Sequence, residues 1–232
     1  MKALIRRAKE TPAVVVAPEP CDKVPWPLET PAPVAIGPGI RLCEQFLDTV
    51  AENGLLDLLR REVYVPLRGR KTARFGGEVG PDFVAELLPT YLREVCDLVS
   101  EVAGLTRANH VLVNHYQAGQ GILPHTDGPA YTPYAAILSL GSAVVFDFWR
   151  DHQHAASGQG PISVLLPARS LLVFQEDAYW GLHGLADRHS DSLEGVLNPE
   201  MLRSCSQQLQ VNGSLRRHER FSLTIRHVTE KI

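Results

Sequence analysis

The residues of this sequence best suited to chemistry are a histidine and an aspartate two positions apart, followed much later by a third polar residue in a small-residue context. His125 and Asp127 lie in Pro-His-Thr-Asp-Gly-Pro, and His183 lies in Trp-Gly-Leu-His-Gly. Residues two apart on a strand point to one face, so His125 and Asp127 can reach one metal ion while a second imidazole arrives from another strand. Two histidines and one carboxylate are typical of Fe(II) sites with open positions for oxygen chemistry. The pattern therefore predicts an iron site formed by His125, Asp127 and His183.

The same tripeptide has a simpler interpretation as a polar turn, because a proline precedes it and Gly128-Pro129 follows it. Other histidines also compete for the third ligand position: His110, His115, His152, His154, His189, His218 and His227. His183 is preferred because its small neighbours allow the imidazole to approach a metal closely.

Two arginines near the end of the sequence predict a site for a dicarboxylic co-substrate. Arg220 and Arg226 share one face of a predicted strand with Ser222, and they are about 20 Å apart along it. Arginine suits this role because its planar guanidinium binds carboxylates through paired hydrogen bonds and stays charged. The alternative is a solvent-facing edge strand whose only buried face is formed by Phe221, Leu223 and Ile225.

A second polar pair lies on another predicted strand. Asn114 and Tyr116 are two residues apart in Val-Leu-Val-Asn-His-Tyr, so they share a face. Their amide and phenol groups can donate hydrogen bonds to a carboxylate. The alternative is that Tyr116 is an ordinary, half-buried strand tyrosine.

The elements that must position these side chains follow from the hydrophobic pattern. Residues 12–38 contain eight prolines, so we expect residues 1–38 to form an extended or disordered arm and residues 39–232 to form the folded domain. Helical spacing predicts helices over 46–63 and 92–104, and residues 185–218 are polar enough to suggest an insertion. The strands are predicted at 110–116, 134–140, 143–149, 162–166, 170–175 and 221–228. Helices followed by many short strands predict an α+β protein with a β-sandwich or jelly-roll core.

Composition narrows the setting of this domain. The net charge of -3 excludes a protein that is basic overall, and four scattered cysteines without a Cys-x-x-Cys motif favour a reducing compartment, the cytoplasm or the nucleus. No apolar run approaches the ~20 residues of a membrane span. We also expect the protein to be a monomer. A basic loop is the exception to the acidic balance, and it could contact the phosphates of a nucleic acid through Arg68, Arg70, Lys71 and Arg74.

Four motifs in order resemble the AlkB-like Fe(II)/2-oxoglutarate dioxygenases: NHYQAG, PHTDGP, RSLLVF with GLHG, and RFSLTIR. The resemblance covers roughly residues 64–228, and GRKTARFGG, HVLVNHY and HTDGPAY are similar to the sixth AlkB homologue subfamily. It implies a double-stranded β-helix core with N-terminal helices and a nucleotide-recognition lid. It also implies Fe(II) bound by the three residues named above, O₂, and 2-oxoglutarate held against Asn114, Tyr116, Arg220, Ser222 and Arg226, with Arg220 on the distal carboxylate.

The activity implied by the resemblance is 2-oxoglutarate-coupled hydroxylation or oxidative demethylation, with a nucleic acid as the expected substrate. The sequence departs from bacterial AlkB at Pro129, where that protein has a second aspartate that helps to read the base. Two alternatives stay open: a protein hydroxylase or demethylase with the same iron centre, and a non-catalytic binding module of the same fold.

Overall fold

The computed structural model describes residues 23–229 and consists mainly of antiparallel strands with a few helices. The helices are α1 (Thr49–Leu59), α2 (Thr90–Ala103), α3 (His152–Ala156) and α4 (Asp177–Trp180), with a 3-10 helix at Pro199–Gln208. The strands are β1 (Val34–Gly37), β2 (Ile40–Cys43), β3 (Val65–Leu67), β4 (Arg70–Phe75), β5 (His110–Tyr116), β6 (Ile122–His125), β7 (Tyr134–Gly141), β8 (Val144–Trp149), β9 (Ile162–Leu166), β10 (Leu171–Gln175), β11 (Leu182–Leu185), β12 (Ser190–Asp191), β13 (Leu215–Arg216) and β14 (Arg220–Arg226).

Two sheets form the core of the molecule. The major sheet has the order β1-β2-β10-β7-β14-β5-β4-β3, and the minor sheet has the order β6-β11-β8-β9. One hydrophobic cluster lies between the major sheet and helices α1 and α2, and a second lies between the two sheets. The predicted co-substrate residues of β5 and β14 are therefore on the side of the major sheet that faces the minor sheet.

Local sequence explains where the two long helices begin and end. Asp48 caps α1, because its carboxylate accepts a hydrogen bond from the amide of Ala51 at 2.8 Å. Helix α2 ends at Gly104, whose φ of 65° is the left-handed conformation common just after a helix. Helix α1 lies within its predicted range, and α2 begins two residues earlier and ends one residue earlier than the range predicted for it.

The central strands agree closely with their predicted ranges. β5 and β9 have the predicted bounds, and β7, β8, β10 and β14 differ from them by one or two residues. The predicted basic loop is wrong, because residues 70–75 form strand β4, which pairs with β5 from Lys71 opposite His115 to Phe75 opposite Val111. The arginines and the flanking glycines of this segment suggested a loop, but pairing with β5 holds it as a strand.

The predicted N-terminal arm falls partly outside the described residues, since the description begins at residue 23. Within it, Val24 is buried against the helices, Trp26 donates a hydrogen bond to Glu94 at 2.8 Å, and residues 34–37 form β1. The division of the chain at residue 38 stays a prediction.

The polar segment 185–218 packs along the minor sheet. Asn198 hydrogen bonds to both the amide and the carbonyl of Leu165 on β9, at 2.9 and 2.8 Å. A buried ion pair joins Asp191 of β12 to Arg217, which follows β13. Met201 and Cys205 of the 3-10 helix are buried in the second hydrophobic cluster, so this polar segment contributes to the core.

Candidate metal centre and its cavity

The two predicted histidine ligands lie side by side on neighbouring strands of the minor sheet. His125 ends β6 and pairs directly with His183 of β11, and their ring centroids are 4.5 Å apart. Directly opposed residues on antiparallel strands bring their side chains together on one face, which explains this proximity. Together with Asp127, they offer ligand atoms that all lie within 4.8 Å of one another.

Asp127 reaches the same point from a loop. The prediction that His125 and Asp127 share a face because both lie on one strand is therefore wrong. Strand β6 ends at His125, so strand alternation does not place Asp127. Its loop is fixed by Gly128, which has a φ of 88° and whose carbonyl accepts a hydrogen bond from the Tyr179 hydroxyl at 2.9 Å. Arg226 of β14 then pairs with Asp127 Oδ1 at 2.6 Å.

The unpaired atoms of this group fit a metal ligand set. Asp127 Oδ2 is buried and has no hydrogen-bond partner among the described residues, although Oδ1 is paired with Arg226. His125 Nδ1 faces the carbonyl of Leu123 at 2.9 Å, which leaves Nε2 as the free nitrogen. Burial lowers the pKa of His183 to about 4, so its imidazole is neutral at physiological pH and has a lone pair to give. Two imidazoles and one carboxylate suit Fe(II).

The competing histidines lie elsewhere. Within residues 23–229, the group of three above is the single cluster with metal-ligand spacing. His115 stacks on Phe221 at 4.1 Å on the helix side of the major sheet, and His154 accepts a hydrogen bond from the Arg150 amide at 3.2 Å. His110 is completely buried at the start of β5.

A cavity of about 390 Å³ joins this centre to the predicted co-substrate residues. Its walls include the three candidate ligands and all five predicted co-substrate residues: Asn114, Tyr116, Arg220, Ser222 and Arg226. β14 lies between β7 and β5, and every residue of this strand is buried. The alternative of a solvent-facing edge strand is therefore wrong.

Arg220 is a buried cation that forms no ion pair with the described residues. Its side chain donates to Ser139 Oγ at 2.9 Å, and no carboxylate of the described residues lies within ion-pair distance of it. The residue is 2% exposed, and burial lowers its pKa to about 10, which still leaves it charged near neutral pH. An isolated buried charge is costly, so a bound carboxylate would stabilise this position strongly.

Arg226 occupies the other end of the same cavity wall. Besides its ion pair with Asp127, its guanidinium lies 4.0 Å from the centroid of the Tyr131 ring. This cation–π contact and the ion pair together fix the guanidinium beside the metal centre. The two arginines thus differ in their surroundings: within residues 23–229 Arg220 has no carboxylate partner, whereas Arg226 pairs with Asp127.

Three residues that line the cavity or contact its side chains were not predicted as part of the site or were given another place. Ser139 and Tyr131 were not singled out as site residues, although Tyr131 ends the HTDGPAY motif. Arg70 was placed in a loop, but it lies on β4 and its Nε donates to Asn114 Oδ1 at 2.7 Å. Period-two alternation along 70, 72 and 74 would have indicated that Arg70 and Arg74 share this face.

The fold and the site together define an oxygenase that uses iron and a keto acid. A family model described as the 2OG-Fe(II) oxygenase superfamily matches residues 62–226, and the chain belongs to this superfamily. The protein is an Fe(II)- and 2-oxoglutarate-dependent dioxygenase of the AlkB-like group, and its chemistry uses Fe(II), 2-oxoglutarate and O₂.

Individual relatives support this placement. The chain is 35% identical over 210 residues to the probable RNA/DNA demethylase ALKBH6 of Danio rerio, across 84% of this chain and 88% of that protein. It is 29% identical over 187 residues to the tRNA (carboxymethyluridine(34)-5-O)-methyltransferase ALKBH8 of Macaca fascicularis, of which the match covers only 27%.

Solved structures show the same fold. The structure of OsALKBH1 matches with a TM-score of 0.52 at 16% identity, over 82% of this chain and 99% of that one. An oxidoreductase of the 2OG-Fe(II) oxygenase family from Burkholderia pseudomallei also has a TM-score of 0.52, at 17% identity over 81% of this chain and 83% of that one. These likenesses support the predicted double-stranded β-helix core.

Proposed function

We propose that this dioxygenase oxidatively demethylates a nucleic acid, with His125, Asp127 and His183 as its iron ligands. When bound, iron with 2-oxoglutarate and O₂ supplies the oxidising power to hydroxylate a methyl C–H bond, and a hydroxylated N-methyl group then leaves as formaldehyde. The protein contributes orientation and exclusion of water. The similarity to ALKBH6 supports a nucleic acid as the substrate.

The co-substrate is assigned to the cavity wall formed by β5 and β14. Arg220 takes the distal carboxylate of 2-oxoglutarate, because it is the buried cation without a carboxylate partner among the described residues. Tyr116 and Asn114 lie on the neighbouring strand, and the pairing of Arg220 with Tyr116 and of Ser222 with Asn114 places all four around one pocket. Arg226 holds Asp127 through Oδ1, which leaves Oδ2 for the metal.

The observation that carries the choice of substrate is the charge at the mouth of the cavity. Arg70 and Arg74 are four residues apart on β4, so they share a face of the strand, and both line the cavity. The Arg74 side chain is 53% exposed, and its guanidinium lies 3.9 Å from the carboxylate of Glu78, whose side chain is 91% exposed. An ion pair this long and this exposed contributes little, so the positive charge of Arg74 stays available. A polyanion entering this cavity would meet both cations.

We further infer that hairpin β3–β4 acts as the lid over the bound nucleotide. β3 forms the outer edge of the major sheet, and the hairpin turn at Arg68 and Gly69 projects beside the cavity. A monomeric state and a location in the cytoplasm or nucleus remain predictions. No helix among residues 23–229 is long and apolar enough to span a membrane.

The test is to supply iron, 2-oxoglutarate and chemically methylated RNA or single-stranded DNA, and to measure succinate and formaldehyde together. We expect both products in similar amounts, and expect neither to exceed background with the unmethylated polymer. Methylated peptides form the competing arm. Coupled turnover with peptides alone would overturn the nucleic-acid assignment and favour a protein demethylase.

A further inference from the structure

We propose that a groove beside the metal centre binds the nucleotide next to the one that reacts. It lies between the turn of hairpin β3–β4 and strand β6, and its volume is about 380 Å³. The residues that define its chemistry are Leu67, Arg68, Arg70, Leu123, Pro124 and Asp187. This assignment rests on the proposed function, since it takes a nucleic-acid strand as the substrate.

The groove adjoins the catalytic cavity. His125, Ile122 and Arg70 line both spaces, so the two share part of their walls. When one nucleotide of a nucleic-acid strand lies inside the cavity, the neighbouring nucleotide must lie just outside it. The groove offers that neighbouring nucleotide a place directly behind the His125 side chain.

Close backbone packing forms the groove in the absence of a ligand. Gly69, in the hairpin turn, has a φ of 78°, and a Cβ atom there would lie 2.9 Å from the carbonyl oxygen of Gly121. The turn therefore sits directly on the chain that leads into β6, and a larger residue would push the two apart. Preformed, concave sites of this kind bind ligands with a small ordering cost.

The side chains of the groove match a nucleotide in both apolar and charged character. Leu67 is 50% exposed and Leu123 is 69% exposed, one from each side, and they offer apolar surface to the face of a base. Arg68 is exposed and makes no ion pair with the described residues, and Arg70 binds an amide rather than a carboxylate. Two cations thus face one acid, Asp187, whose carboxylate can accept a hydrogen bond from an exocyclic amino group.

A peptide fits this groove less well, although β3 and β6 are both edge strands. A peptide that extends a sheet needs free backbone donors along the edge. Pro66 on β3 and Pro124 on β6 have no N–H group, and the carbonyl of Leu123 already faces His125 at 2.9 Å. The edges are therefore poor partners for strand addition, whereas the cations and the leucines remain available.

The experiment measures how affinity depends on the length of the nucleic acid. Unlabelled mononucleotide, dinucleotide and trinucleotide compete with a fluorescent single-stranded oligonucleotide on the protein loaded with Mn(II) and 2-oxoglutarate. The variants are Arg68→Ala and the double substitution Leu67→Ala with Leu123→Ala. Their matched controls are Arg203→Ala and Val211→Ala, which are exposed and lie outside both spaces.

For the parent protein we expect the dinucleotide to bind about tenfold more tightly than the mononucleotide. Both groove variants should lose most of this gain and keep the parent affinity for the mononucleotide, while the two controls match the parent throughout. Equal affinities for mononucleotide and dinucleotide, or groove variants that keep the gain, would overturn the groove and leave the proposed function standing. A parent that binds none of these nucleotides would overturn both.

Discussion

At the scale of single residues, the site depends on how one carboxylate is shared. Asp127 Oδ1 accepts a hydrogen bond from Arg226 at 2.6 Å, and Oδ2 has no partner within residues 23–229. This division lets one side chain hold the β14 arginine and offer an oxygen to a metal. The ordering of Arg226 by Tyr131 then indirectly orients the ligand oxygen.

We predict that Asp127→Ala abolishes 2-oxoglutarate turnover. The variant loses a negative ligand and also leaves the buried Arg226 without its carboxylate, so metal affinity should fall by at least about tenfold. Succinate formation and the binding isotherm of Mn(II) measure the two effects, and circular dichroism checks the fold. Parent-like succinate production would show that Asp127 is not a ligand. Asp82→Ala, at an exposed carboxylate outside the cavity, serves as the matched control.

We predict that Arg220→Lys weakens 2-oxoglutarate binding by about tenfold or more, although the charge is kept. Lysine cannot reproduce the planar paired hydrogen bonds of the guanidinium. Titration of 2-oxoglutarate into the Mn(II)-loaded protein gives the dissociation constant. Arg216→Lys, at an exposed arginine of β13, should leave it unchanged. Equal isotherms for Arg220→Lys and the parent would remove Arg220 from the co-substrate site.

At the scale of elements, hairpin β3–β4 divides its basic residues between two faces. Arg70 and Arg74 line the catalytic cavity, whereas Lys71 lies with His115 and Phe221 on the opposite side of the sheet. Arg68 is in the turn and lines the neighbouring groove. The sequence grouped all four as one basic surface, but the pleat of β4 separates Lys71 from the others.

This separation predicts different salt dependences for neighbouring substitutions. Arg74→Ala should lower the slope of log affinity against log salt by about one unit for single-stranded nucleic acid, because one phosphate contact is lost. Lys71→Ala, three residues away, should leave the slope unchanged. Anisotropy titrations over a range of salt concentrations measure both slopes. Equal losses of slope in the two variants would mean that the opposite face also contacts the polyanion.

At the scale of the whole molecule, a buried carboxylate helps to hold the segment 185–218 on the minor sheet. Asp191 is completely buried and accepts hydrogen bonds from Arg217 and from the amide of Val145 on β8. Arg188 also contacts it, at 2.7 Å, but is 37% exposed. The network joins the polar segment to the minor sheet, on which both predicted histidine ligands lie.

Removal of this carboxylate should destabilise the protein without changing the site. We predict that Asp191→Ala lowers the free energy of unfolding by about 3–5 kcal/mol, because Arg217 becomes an unpaired buried charge. Arg188→Ala should cost less than about 1 kcal/mol, since that pair is partly exposed. Urea unfolding gives both values. A cost for Asp191→Ala no larger than that of Arg188→Ala would show that the buried pair contributes little.

Acid should destabilise the fold through buried histidine. Burial, followed by Arg226 and Arg74, lowers the pKa of His110 to about 4, against an ordinary value of about 6.5. The unfolded chain therefore binds more protons between these values, so the stability from this residue is complete above about pH 6.5 and declines as the pH falls towards about 4. We predict that His110→Asn flattens the pH dependence of urea unfolding over this interval, and that His152→Asn, at an exposed position, does not. Parallel profiles for the parent and His110→Asn would exclude this cause.

The sequence by itself determined the elements whose faces differ in polarity. Alternation in β5 and β14 placed Asn114, Tyr116, Arg220 and Arg226 on faces opposite to the aliphatic residues, and the structure has them there. The apolar stripe that ends at Gly104 was enough to predict α2. These predictions succeed because burial of a face depends on residues that are close in the sequence.

Only the tertiary structure decided how separate segments meet. The pairing of His125 with His183, the entry of Asp127 from a loop anchored by Tyr179, and the existence of β4 all depend on partners far away in the chain. No local pattern specifies such partners, because cross-strand contacts and loop anchors gain their free energy only when the whole sheet has formed. The types of the metal ligands could therefore be predicted from the sequence, whereas their geometry and the groove beside them could not.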